Sequence, residues 1–115
     1  MYQHSYSENL ADDPRDCRDR ERRALSHAIA LLEKADAAGA RSATAAEALN
    51  FLCRLWRALI DDLTAADNDL PEALRANLVS IGLWIIKETD LIRCGRSENF
   101  CGLIEICATI RDGLK

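Results

Sequence analysis

The sequence lacks the features that mark several functional classes. Its 115 residues carry a net charge of −4, so it has no basic excess of the kind that nucleic-acid-binding domains usually show. No apolar run reaches the roughly 18 residues that a membrane-spanning helix needs. Residues 1–6 lack the basic start and apolar core of a signal peptide. We therefore expect a cytoplasmic protein that has no membrane partner and is not a dedicated nucleic-acid binder.

Recognisable catalytic and metal-binding motifs are missing as well. The five cysteines show no C-x-x-C spacing, and neither His4 nor His27 pairs with them at a zinc-like spacing. Glycine loops for phosphate, H-E-x-x-H and G-x-S-x-G do not occur. Asp61 and Asp62 are adjacent on a predicted helix and point about 100° apart, which prevents them from acting as a facing pair. We expect reduced thiols that act as small hydrophobes, no metal, no cofactor and no enzymatic activity.

Apolar residues at helical spacing are abundant, and no β pattern competes with them. Pro14, Gly39, Pro71 and Gly95 are typical of helix starts and stops. They predict helices over about 14–38, 44–63, 71–94 and 98–113. The second helix would begin near Ser42 or near Thr44, where residues 44–47 fit a capping box, and Ser97 would cap the fourth. Short loops between four helices predict an all-α fold, a small bundle of about four helices.

The predicted helices leave an N-terminal arm of residues 1–13 and a single helical domain of residues 14–115. Tyr2, Tyr6 and Leu10 recur at four-residue spacing in the arm and could lay a helical turn on the domain. The expected core consists of apolar residues repeating every three or four positions: Leu25, Ala28, Ile29, Leu32 and Ala35 in helix one, Leu49, Leu52, Cys53, Trp56, Leu59, Ile60 and Leu63 in helix two, and Phe100, Leu103, Cys107, Ile110 and Leu114 in helix four.

The first half of helix one, residues 15–23, has little to bury. Arginines alternate there with aspartate and glutamate, which is typical of a solvated helical face stabilised by opposite-charge pairs. We interpret it as a charged N-terminal extension of helix one. The alternative is an RNA contact through these arginines, which the interleaved acids weaken because they cancel the positive field.

Helix three is the most informative segment because residues 78–86 are apolar on more than one face. At about 100° per residue, Val79, Leu83 and Ile86 share one face and Trp84 points to another. Such a helix is either central in a bundle, in contact with at least two others, or exposed until a partner covers it. Gly82 in mid-helix predicts that another helix passes close by.

Helix two adds a second candidate contact spot, Phe51 with Leu55 at its flank, because Phe51 lies off the core stripe. The residues predicted to bind a partner are therefore Phe51, Leu55, Val79, Leu83 and Ile86. The competing interpretation is that each of these side chains only fills the core.

Short stretches along almost the whole chain carry a family resemblance. They are Tyr2-Gln3 and Ser5-Tyr6, Ala48-Leu49, Phe51-Leu52, Arg54-Leu55-Trp56, Leu59-Ile60 and Asp62-Leu63, then Leu70-Pro71-Glu72-Ala73-Leu74-Arg75, Ser80-Ile81-Gly82-Leu83-Trp84 and Lys87-Glu88, and finally Asn99-Phe100, Gly102-Leu103-Ile104-Glu105-Ile106-Cys107 and Ile110-Arg111-Asp112-Gly113-Leu114. In this order and spacing they resemble the flagellar biosynthesis regulator FlaF family of alphaproteobacteria. Cys94 and Cys101 are not part of that pattern.

The resemblance implies a small cytoplasmic protein needed for flagellin production and flagellum assembly, and hence for motility. Its members look like post-transcriptional regulators or secretion helpers of flagellin that act alongside the regulator FlbT, and no catalytic residues come with the family. The leading hypothesis is a chaperone-like helical module that binds flagellin, whose termini are amphipathic helices, through an apolar helical surface. The alternative is a post-transcriptional regulator that binds flagellin messenger RNA.

Overall fold

Four α-helices make up the computed structural model, which describes residues 14–114. They are α1 Pro14–Ala38, α2 Ala43–Leu63, α3 Glu72–Arg93 and α4 Phe100–Gly113. No strand occurs within residues 14–114. The all-α fold of about four helices predicted from the sequence is confirmed, with helix ends within two residues of those expected. The predicted N-terminal arm lies outside the described residues and stays a prediction.

The start of α2 is the first of the two predicted ones. Ser42, rather than Thr44, is the cap: its hydroxyl oxygen accepts a hydrogen bond from the Ala45 backbone N–H at 3.0 Å. The same hydroxyl donates to the Gly39 carbonyl at 2.7 Å, and Gly39 has a positive φ of 103°. The short turn from α1 to α2 is therefore fixed by a glycine that can adopt this backbone conformation and a serine that bonds on both sides.

The cap of α4 differs from the prediction. Asn99, not Ser97, accepts from the backbone N–H of Gly102 at 3.0 Å. Ser97 instead donates its hydroxyl hydrogen to the Glu88 carboxylate at 2.5 Å. This bond ties the loop before α4 to the last turns of α3, so that α4 returns along the bundle.

Helix packing follows the order α4, α1, α2, α3. Extensive contacts join α1 with α4, α1 with α2, and α2 with α3. The prediction that helix three is central in the bundle is therefore wrong. α3 lies at one end of this packing order, and its extensive contacts are with α2 alone. Its fully buried side chains form a single stripe, Ile85, Thr89 and Ile92, so its other apolar residues remain partly or largely accessible.

The predicted core stripes are otherwise confirmed. All five stripe residues of α1 are buried, as are those of α2 except the half-buried Ile60. In α4 the first three are buried and the last two half-buried. Trp56 and Phe100 are the largest fully buried side chains. No buried residue precedes Leu25 in the described part of α1, which confirms the charged extension.

The crossing of α3 over α2 occurs at Gly82, as its mid-helix position predicted. A Cβ at residue 82 would lie 2.8 Å from Cε3 of Trp56 and 3.0 Å from Cδ1 of Ile60. Real Cβ atoms do not approach other carbons so closely, and a packed interior has no spare volume to relieve it. Glycine is therefore required here by space, at a cost of about 1 kcal/mol in helix propensity.

Four of the five cysteines form a buried and an exposed pair, and Cys17 is half-buried. Cys53 and Cys107 are buried, and burial raises the pKa of the Cys107 thiol to about 11, so both match the prediction of small hydrophobes. Cys94 and Cys101 are exposed, and for them that interpretation is wrong. The reason is local: Cys94 ends α3 and Cys101 lies on the outer side of the first turn of α4.

Candidate functional site

An open groove runs between α3 and α4. Its volume is about 410 Å³. Ile81 and Trp84 line one side, and Ile106 and Thr109 the other, while Gly102 and Glu105 complete the α4 wall. The Trp84 side chain is 43% exposed, and Ile81 and Ile106 are half-buried. The groove thus offers an apolar floor with a large aromatic side chain at its edge.

The groove stays open because the two helices pack on different neighbours. α3 packs extensively on α2, whereas α4 packs on α1, so no large side chain is forced into the space between them. Gly102 contributes no side chain beyond its Cα and widens the groove at the start of α4. The groove is therefore a consequence of how the helices pair, and it exists without any rearrangement of the bundle.

A smaller cavity of about 60 Å³ lies about one helical turn beyond the groove, along the line where α3 and α4 face each other. Leu78 precedes Ile81 by three residues, and Ile110 follows Ile106 by four, each about one helical turn. The cavity lies where all four helices meet, and its walls are mostly apolar: Glu21, Leu25, Trp56, Leu59, Asp62, Leu63, Leu70, Leu78, Ile110 and Leu114.

The cavity wall holds one buried polar group without a hydrogen-bond partner and two carboxyl groups with raised pKa values. The indole N–H of Trp56 has no hydrogen-bond partner within the described residues. It lies close enough to the Cys107 thiol to oppose the rise of the pKa of that group, but the two groups are not aligned as a hydrogen bond. Burial, and next the charge of Asp62, raise the pKa of Glu21 to about 7. Burial also raises the pKa of Asp62, helped by Asp67 and Asp69.

Glu21 should make the protein less stable as pH rises from about 5 to about 8. Between pH 4.5, the ordinary pKa, and about 7, the folded state holds a proton that the unfolded state has lost. The free energy of unfolding therefore falls with rising pH, by on the order of 3 kcal/mol for a shift of this size. Glu21→Gln should flatten the profile and be more stable than wild type at pH 8, as measured by urea unfolding.

Glu33→Gln is the matched control, because Glu33 is an exposed glutamate on the same helix. It should follow the wild-type pH profile. If Glu21→Gln and wild type lose stability in parallel between pH 5 and 8, Glu21 is not the group responsible.

The predicted contact residues on α3 form a face separate from the groove. Leu83 is 57% exposed, and Val79 and Ile86 are half-buried. Ile81 lies two residues from Leu83, about 200° around the helix, so this outer flank and the groove lie on opposite sides of the edge that contacts α2. The structure brings these three predicted residues together, with only Leu83 largely accessible.

The predicted contact spot on α2 lies elsewhere. Phe51 is half-buried and packs edge-on against the His27 ring of α1, with ring centroids 4.8 Å apart and an interplanar angle of 85°. Cys53, two residues on and about 200° around the helix, faces α3 through Thr89 at 3.3 Å. Phe51 and Leu55 are thus on the α1 side of α2 and do not join the α3 flank into one surface.

Sequence reasoning did not select the groove residues Ile81, Trp84 and Ile106. Two signals pointed toward them. Trp84 lay on a third face of helix three, where no core role was assigned to it. Ile106 is an apolar residue beside, rather than on, the core stripe of α4. Surplus apolar residues on two helices that follow each other in the chain are consistent with a shared groove.

Metal binding and membrane insertion find no support in the described part of the chain. Across residues 14–114, no three side chains of His, Cys, Asp or Glu are grouped as metal ligands. In the same range, none of the helices has the length and apolar character needed to cross a bilayer.

Comparison with known proteins gives one result. No curated protein sequence and no solved structure shows significant similarity to the chain. The sequence model of the family described as flagellar protein FlaF matches residues 2–114, nearly the whole chain. This match confirms the resemblance found in the sequence, and the chain belongs to the FlaF family of flagellar proteins.

Proposed function

We propose that the protein acts in flagellum assembly by binding flagellin, holding an amphipathic helix of it in the groove between α3 and α4. It acts by binding rather than by catalysis. Membership of the FlaF family makes the protein a flagellar one. The observation that carries the proposal is the 43% exposed Trp84 at the edge of an open apolar groove.

A helical groove suits this partner for physical reasons. An amphipathic helix buries its apolar face in a hydrophobic groove between two helices, with anchors at three- and four-residue spacing. Tryptophan is the side chain most enriched at the energetic centres of interfaces. Flagellin has amphipathic terminal helices that must be kept apart before export, and a preformed groove can cover one of them.

RNA binding is the competing function, and the described charges give it little support. In the charged extension Arg22 pairs with Asp19, and Arg20 donates to the sulfur of Cys17 at 3.4 Å. Arginines held by neighbours in their own helix present a weaker positive field to a phosphate backbone.

Titration of purified flagellin and of a flagellin leader RNA, each at low and at high salt, separates the two functions. Apolar burial is not screened, so flagellin binding should persist at high salt, whereas phosphate contacts weaken steeply as salt rises. Changing the five arginines of residues 15–23 to glutamine should leave flagellin binding within about twofold, because the groove and the cavity as described have no arginine in their walls.

The opposite pattern would retire the proposal. It consists of tight RNA binding that salt and the arginine changes remove, with no detectable flagellin binding. The regulator FlbT belongs in the same titration series as a third ligand, since a complex of FlbT with the groove would also place the protein in flagellin regulation.

A further inference from the structure

We propose that the helix held in the groove carries lysine or arginine beside its apolar stripe, and that Glu105, Glu21 and Asp62 select for these cations. This inference rests on the proposed function, since it specifies the chemistry of the partner. It adds an electrostatic requirement that apolar burial alone does not supply.

Among the described residues, the charged side chains that line the groove and the cavity are all acidic. Glu105 is the charged residue in the groove wall, and Glu21 and Asp62 are those in the cavity. No lysine or arginine of the described residues 14–114 lines either space, although the chain has 15 of them. A docked helix with acidic flanks would meet like charges, and one with basic flanks would meet opposite charges, which is the arrangement that gives interfaces their specificity.

The carboxylate pair in the cavity is short of positive partners. Glu21 has Arg18 and Arg20 on its own helix, and both lower its pKa, but burial and Asp62 outweigh them. The cavity residues from the loop, α3 and α4 are uncharged: Leu70, Leu78, Ile110 and Leu114. A cation brought in by a ligand would therefore interact with two partly desolvated carboxylates, where an ion pair is less screened than on an open surface.

Two synthetic helical peptides test the inference directly. Both carry the same leucine stripe, one flanked by lysines and the other by glutamates at the same positions. At pH 8, above the pKa of about 7 of Glu21, the full-length protein should bind the lysine peptide about tenfold more tightly at low salt, and the preference should shrink at high salt. In the variant Glu21→Gln/Asp62→Asn/Glu105→Gln the preference should disappear, and in Glu105→Lys it should weaken or reverse.

Titrating flagellin with the same variants separates this inference from the proposed function. If the triple variant binds flagellin and both peptides as wild type does, while Trp84→Ala loses flagellin, the charge requirement is wrong and the groove function stands. If flagellin does not bind but the lysine peptide is preferred in a Trp84-dependent way, the charge requirement stands and flagellin is the wrong partner.

Self-association would overturn the inference. If sedimentation shows a dimer of this chain that Trp84→Ala abolishes, the groove is filled by a second copy rather than by a basic helix. Far-UV circular dichroism of each variant confirms that a lost preference is not lost folding.

Discussion

Replacing Gly82 with leucine should destabilise the protein by about 3 kcal/mol, at the upper end of what overpacking a core usually costs. Even a Cβ at this position would lie 2.8 Å from Cε3 of Trp56. Trp56 is 1% exposed and fixed in the core, so it cannot move aside. Ile60 is half-buried and can yield only in part. The remaining leucine atoms would have to separate α3 from α2, and the thermal midpoint should drop by about 10 °C or more.

Gly82→Ala separates the gain in helix propensity from the cost of the close contact at the Cβ atom. Alanine gains about 1 kcal/mol in helix propensity but brings the Cβ clash, so we expect a net loss of about 1 kcal/mol, given the usual cost of overpacking. Gly113→Ala is the matched glycine control, because nothing lies within 4 Å of a Cβ there. Ala76→Leu adds the same side chain at an exposed position of the same helix.

Urea unfolding of the four variants gives the decisive comparison. Gly113→Ala and Ala76→Leu should stay within about 0.5 kcal/mol of wild type, as is usual for surface changes. If Gly82→Leu is as stable as Ala76→Leu, the helices do not cross at residue 82, and the packing of α3 on α2 is not the one described.

Three of the four helices could be placed from the sequence because each has a single apolar stripe. The stripes that include Leu25, Leu52 and Leu103 each leave one face to bury, and a periodic pattern states which face that is. Helix α3 lacks this property. Residues 78–86 offer several apolar faces, and the period alone does not say which of them meets a neighbour. The preference of α4 for α1 over α3 is a tertiary choice that no local pattern encodes.

The candidate site could be predicted only in part, because a sequence pattern does not say which helices lie side by side. Leu83 was correctly identified as an accessible apolar residue of α3. Phe51 was selected as a second contact spot only because it lies off the core stripe, and its contact with His27 of α1 depends on how α1 lies along α2. Trp84 becomes part of a groove only once α4 is placed opposite it, which depends on the path of the loop from Cys94 to Asn99.

Trp84→Ala should lower the affinity for flagellin by roughly 30-fold or more, the loss of about 2 kcal/mol that marks an interface hot spot. Its effect on folding should be small by comparison, about 1 kcal/mol or less, because the side chain is already 43% exposed and only its buried part is lost on truncation. The measurement is a flagellin titration by calorimetry, paired with urea unfolding of the same preparation.

Leu74→Ala is the matched control for Trp84→Ala. Leu74 lies on the same helix with the same 43% exposure but lines neither the groove nor the cavity. It should leave flagellin affinity within about twofold, the range expected for an apolar residue outside an interface centre. Leu83→Ala tests the outer flank of α3, and Phe51→Ala tests the α1 side of α2.

The ranking of these variants decides which surface binds. If Trp84→Ala alone loses affinity, the groove between α3 and α4 is the site. If Leu83→Ala loses affinity and Trp84→Ala does not, the partner covers the outer flank of Val79, Leu83 and Ile86, and the groove is only a consequence of helix pairing. A loss confined to Phe51→Ala would move the site to the α1–α2 side. Because these surfaces lie on different sides of the bundle, one bound helix cannot contact all three, so the three outcomes are distinct.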